Sequence, residues 1–168
     1  MTTPPQPLGP PVRATDIPVA HTPSGGYGLT MPPPVLAACT EPLVNGAPDL
    51  RGTWRAGSIL VDGTEVADHP AHGHVERIEQ CSDRLVVTAG GVVHDMRCDG
   101  TEAHGVHDVA EFDFTTPITV VATFEEGVHV LRPIGLPGIE VTRRLDGARL
   151  IWTYLGFTAV LERIGPPH

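Results

Sequence analysis

From Leu50 onward, apolar and polar residues change places almost one by one. Trp54, Ala56, Ser58 and Leu60 fall on one side of a run whose other side carries Thr53, Arg55 and Gly57. Ile118, Val120, Ala122 and Phe124 repeat the pattern, as do Leu150, Trp152 and Tyr154, and then Phe157, Ala159, Leu161 and Arg163. A repeat of two is the signature of a strand with one buried face. No segment holds a 3.6-residue repeat over a helical length. The pattern predicts strands over Gly52–Val61, His72–Cys81, Arg84–Ala89, Val92–Arg97, Glu102–Phe114, Ile118–Glu125, Val128–Arg132, Ile139–Leu145, Arg149–Leu155 and Phe157–Ile164.

Tight turns separate these runs. Asp62-Gly63, Asp99-Gly100 and Asp146-Gly147 are Asp-Gly hairpin signals, and Gly90-Gly91 and Glu126-Gly127 add two more. Sequential strands with short connections close best as an up-and-down antiparallel β-barrel, because closure removes exposed edges. The expectation is an all-β protein with a barrel of 8–10 strands over residues 49–164. Small residues on the apolar faces, Ala56, Ala122 and Ala159, leave space for an internal cavity.

The first 48 residues read differently. Twelve of the eighteen prolines lie there, which disfavours ladder pairing and favours extended backbone. This is a Pro-rich N-terminal arm, either free in solution or wrapped on a barrel or a second subunit through Ile17, Val19, Tyr27, Leu29 and Met31. A homodimer through the arm is one reading. A short helix over Val35–Leu43 is expected just ahead of the first strand.

Composition narrows the function. The net charge of -9 argues against nucleic acid or an anionic membrane as partner. All eleven basic residues are Arg, so lysine Schiff-base and phosphate-loop lysine chemistry are excluded. Cys39, Cys81 and Cys98 lack metal-type spacing and read as reduced thiols. With no signal-peptide pattern and no long apolar run, the expected location is cytoplasmic.

Nine histidines stand out. On a strand, His72, His74 and Glu76 share a face, a set that suits zinc or non-haem iron, or proton transfer, but arises more often as solvated or structural histidine; no metal or other cofactor is assigned. In Glu102–Phe114, alternation puts His104 and Asp108 on the face that carries Phe112 and Phe114. That face reads as interior, since two exposed Phe would form a costly patch. His104, or His94 on the neighbouring run, is then a candidate for proton transfer, with Asp108 orienting it. Nucleophile-elbow and phosphate-loop patterns are both missing. Arg143-Arg144, beside a turn, reads as a solvated strand end, with an Arg at the barrel mouth that holds a carboxylate ligand as the alternative.

Leu50-Arg51-Gly52-Thr53-Trp54, with Arg163 in the last run, resembles the opening and closing signals of the calycin superfamily, the lipocalins and their bacterial relatives. The resemblance spans residues 35–164. It implies a barrel holding a small apolar molecule, although some members are isomerases, cyclases or haem proteins. The haem-binding nitrobindin-like members use a His of the C-terminal strands, and beyond His129 this chain has only His168. Trp54 and Arg163 are expected to be structural, the guanidinium stacked on the indole at the closed end. Phe112, Phe114, Phe124, Trp152, Tyr154 and Leu161 are expected to line the cavity. The leading function is binding of a small, largely apolar molecule. The alternatives are an isomerase, cyclase or lyase in the same shell, or a structural or assembly protein.

Overall fold

In a computed structural model, which describes residues 12–166, the only regular structure besides β-strands is a one-turn 3-10 helix at Ala14–Asp16. The strands are β1 (Gly52–Val61), β2 (Thr64–Glu65), β3 (Val75–Cys81), β4 (Arg84–Ala89), β5 (Val92–Arg97), β6 (Val106–Val109), β7 (Pro117–Glu125), β8 (Val128–Pro133), β9 (Val141–Asp146), β10 (Arg149–Tyr154) and β11 (Phe157–Gly165). They form one antiparallel sheet in the order β5-β4-β3-β1-β11-β10-β9-β8-β7-β6, with β2 attached to β1 alone. The sheet curls into a nearly closed barrel. Its seam lies between β5 and β6, which share no ladder. Pro4-Pro5, Pro10-Pro11 and His168 lie outside the described residues.

Ten long strands follow from the alternation, and the eleventh is the two-residue β2. Asp62-Gly63, Gly90-Gly91 and Glu126-Gly127 have both residues at positive φ, the backbone that matches hairpin twist. Asp99-Gly100 does not make the expected hairpin. Asp99 instead accepts hydrogen bonds from Thr101 N at 3.0 Å and Thr101 Oγ1 at 2.7 Å, and bridges to Thr123 on β7. The connection therefore runs long, and the expected strand Glu102–Phe114 shrinks to β6. Phe114 ends up in the left-handed region, φ 58°, inside a turn.

β1 and β11 join the two ends of the barrel, with Trp54 opposite Arg163. Trp54 is fully buried and donates its indole N–H to Leu50 O at 2.9 Å. The Arg163 guanidinium lies 4.6 Å over the indole centroid. Gly52, at φ 139°, makes the stack feasible: a Cβ there would come within 2.9 Å of Arg163 Nε. That is the physical content of Gly-x-Trp in this chain.

The arm folds back on its own barrel. Ala14 and Leu36 bury the outward side chains Cys81, Val86 and Val93, with Ile17, Ala20, Tyr27 and Val35 packed beside them. Because the arm has almost no ladder of its own, its backbone is satisfied by buried side chains of the sheet. Glu79 accepts Val35 N at 3.0 Å and Leu36 N at 2.7 Å. Arg84, paired with Asp95 at 2.6 and 2.8 Å, donates to the carbonyls of Ala14, Ile17 and Pro18. The expected helix at Val35–Leu43 does not form. The chain makes one turn, closed by Cys39 N on Leu36 O at 2.9 Å, and then leaves it, because Cys39 bridges to Val12 and is tied to β3.

Cys39 and Cys81 form a disulfide with Cα atoms 6.2 Å apart, which corrects the reading of three reduced thiols. Sequence spacing hid the pair because only the path of the arm brings Cys39 over β3. Cys98 is free and buried, and burial, with Asp83 and Asp99 nearby, pushes its thiol far above the ordinary value.

Thr22 closes the seam. Its Oγ1 accepts from Val93 N at 3.0 Å on the free edge of β5, and its amide donates to Asp108 at 2.9 Å on β6. Tyr27 N adds a bond to Gly91 O at 2.7 Å. An edge that would otherwise offer free amides to another chain is thereby covered.

Candidate functional site

The inward residues of β10 give the barrel its polarity. Leu150 is fully buried, Trp152 is 4% exposed and Tyr154 is 39% exposed. The Leu150 end is filled, with Leu50, Trp54, Ile78, Leu85 and Leu161 in one apolar cluster. Toward Tyr154 the interior opens into a cavity of about 200 Å³. Val87, Val92, Met96, Ile118, Val120 and Leu131 make most of its wall, and Phe112, Leu136 and Leu155 form an apolar rim.

One polar cluster interrupts this wall. Arg143 on β9 points inward beside Val141, and its Nε and Nη2 donate to Glu76 of β3 at 2.8 and 3.3 Å. His74 Nε2 lies 3.0 Å from the same carboxylate. Trp152 is the platform: His74 stacks on it at 4.7 Å between centroids, and the Arg143 guanidinium sits 5.3 Å from its centroid. Burial alone would raise the Glu76 carboxyl, but the Arg143 charge and the bonds from His74 and Arg143 outweigh it and bring it down to about 2. Arg143 and Glu76 are thus a charged pair set into an apolar interior.

His129, opposite Arg143 in the β8–β9 ladder, is fully buried and packs on Phe124 at 5.9 Å. Among the described residues neither of its nitrogens finds a partner, and the indole N–H of Trp152 is also buried without one. Burial, helped by the Arg143 charge, pushes the His129 imidazole down to about 3, so the ring is neutral.

The residues singled out in the sequence are dispersed. His104 is not on a strand; its side chain is 57% exposed and its Nδ1 pairs with Asp99 at 2.6 Å. Asp108 serves the arm and its own neighbour Val109 N. His94 does line the cavity, with Nε2 3.0 Å from Val109 O across the seam. The structure does not bring the three together: the interior face assumed for Glu102–Phe114 requires a continuous strand, and the chain turns instead. Phe112 is 80% exposed on the rim, and Phe114 packs outside, against Gly26 and Gly91. Trp152 and Tyr154 line the cavity. Phe124 covers His129, and Leu161 lies in the filled end. His72 sits exposed in a turn, apart from His74 and Glu76. Sequence reasoning missed His129 and preferred a solvated strand end for Arg143. Each shares strand parity with an apolar neighbour, Val141 and Leu131, and that parity was the available signal.

No family model matches the sequence, and no curated protein matches it. Among solved structures the chain is similar to human cRBP IV, a cellular retinol-binding protein, with a TM-score of 0.51 and 15% identity. The match covers 68% of this chain and 98% of that one. The fold is calycin-like. At this identity the likeness concerns the backbone alone, and the calycin-like barrel of this chain carries its own polar cluster. No helix among the described residues is long and apolar enough to cross a membrane.

Proposed function

We propose that this protein binds a small, largely apolar molecule inside its barrel. The observation that carries the reading is the cavity: aliphatic and aromatic walls, one compact polar cluster, and an apolar rim of exposed side chains. Concave, mostly apolar sites with a few convergent polar groups are what small-molecule binding uses. The retinoid-binding neighbour supports the class of ligand and not its identity. The polar contacts are proposed to come from Arg143 and His74, both held by Glu76, and the apolar ones from Trp152, Tyr154 and the aliphatic wall. Displacement of a neutral apolar dye from the full chain tests this. Saturable displacement is expected, and Ala89→Phe, which projects a ring into the cavity, should abolish it while leaving the protein folded. Equal dye binding by both proteins would place the dye elsewhere and remove the support.

One observation favours a second reading, proton transfer. His74 lines the cavity with its Nε2 held by a buried carboxylate, the arrangement that orients a general base. Under that reading His74→Gln removes turnover of an added carbonyl compound and weakens its binding far less.

The compartment follows the cysteines. A lasting Cys39–Cys81 bridge favours an oxidising compartment over the cytoplasm. Thiol counting on protein from its native source decides between them: one free thiol if bridged, three if not.

A further inference from the structure

We propose that the cavity takes a compact, uncharged molecule with a single hydrogen-bond acceptor, a ketone, aldehyde or ester oxygen set against Arg143, and turns away carboxylates. This rests on the reading that the cavity holds a ligand, and it names the class of that ligand.

Size comes first. A buried apolar cavity of about 150 Å³ accommodates benzene, whereas sites for drug-sized ligands run to roughly 300–1,000 Å³. At about 200 Å³ the space suits one or two small rings and not a long chain.

Charge comes second. An arginine in an apolar barrel would by itself invite a carboxylate. Here its charge is already matched by Glu76, which is buried, ionised and bonded through two guanidinium nitrogens. A ligand carboxylate would add a second negative charge to a site that holds one positive charge, without water to screen it, and that is expensive. Glu111 at the mouth adds to the repulsion. A cationic ligand would meet Arg143.

Hydrogen-bond inventory comes third. Glu76 Oε1 is engaged by His74 and Arg143, and Oε2 by Arg143, so the carboxylate has little acceptor capacity left. Arg143 lines the cavity, its Nε and Nη2 donate to Glu76, and its Nη1 makes no hydrogen bond with the described residues. The unpartnered indole N–H of Trp152 is buried out of a ligand's reach. The free guanidinium nitrogen selects a ligand that accepts.

The test is displacement of Prodan, a neutral two-ring ketone dye, from the full chain at pH 8, where a free imidazole is uncharged. The competitors are a monocyclic ten-carbon ketone, a ten-carbon carboxylic acid with the same ring, and hexadecanoic acid. The ketone is expected to bind at least about tenfold more tightly than either acid. An acid that binds as well as the ketone overturns the proposal and leaves the binding function standing. Failure of all three, with no dye bound, overturns the binding function itself. Glu76→Gln frees the Arg143 charge and is expected to improve binding of the ring acid by about tenfold while moving the ketone far less. Unchanged acid affinity in a folded variant counts against the proposal, and if the variant does not fold the wild-type ranking decides alone.

Discussion

Glu76, Arg143 and His129 share one small volume, and each depends on the others' charge state. Removing Arg143 alone strands an ionised carboxylate in the barrel, so Arg143→Met should cost about 3–5 kcal/mol. Replacing both partners, Glu76→Met with Arg143→Met, should cost far less; chemical denaturation of the three proteins checks the order. His129 makes stability depend on pH. Its folded value, about 3, lies below the ordinary 6.5, so the unfolded chain takes up the proton first. Its contribution is fully present above pH 6.5 and is lost as pH falls toward 3, at up to about 1.4 kcal/mol per pH unit. Glu76, lowered from 4.5 to about 2, adds its own loss only below pH 4.5. Between pH 6.5 and 4.5 the slope should therefore flatten in His129→Leu, and an unchanged slope would show that the ring is not buried neutral. These residues were hard to see in the sequence because charge suggests solvent. Arg143 stands next to Arg144 and a turn, and only its shared parity with Val141 marks it as inward.

β1, β4, β5, β7, β10 and β11 could be read almost to the residue, from alternation or from short apolar runs bounded by tight turns. β6 could not. The alternation through Glu102–Phe114 is real in the sequence, but Asp99 and Asp113 each cap a turn with their carboxylates, and Phe114 takes a left-handed conformation. Local side-chain capping overrode the pattern. The arm was legible as irregular and illegible in its path, because the groups that hold it, Glu79, Arg84, Asp95 and Cys81, lie on strands far away in sequence. Reduction of Cys39–Cys81, or Cys39→Ser, should lower stability by about 2–4 kcal/mol without changing dye binding. Thermal melts with and without reductant, together with a titration of each form, check both parts. At the other junction, Trp54→Ala should cost about 3–5 kcal/mol, since a fully buried indole leaves a large void between β1 and β11. Its ligand affinity should stay unchanged, because Trp54 sits in the filled end; a loss of affinity in the folded variant would place the binding site there.

At the scale of the whole molecule, the calycin-like barrel divides into a filled half and an open half, with the Arg143–Glu76 pair at the boundary and the arm strapped across the outside. Alternation and turn chemistry made the barrel legible, while the cavity depends on which inward residues are small, and that is set by register across strands. The central claim is that a compact apolar ligand enters the open half. Methyl NMR of the full chain, titrated with a ten-carbon monocyclic ketone, tests it most directly. The methyls of Val87, Val92, Ile118, Val120 and Leu131 should shift together and saturate at one ligand per chain, while those of Leu85, Ile78 and Leu161 in the filled half stay in place. Shifts confined to exposed residues such as Leu29 and Val44, or no saturable shift in the cavity wall, would contradict the account.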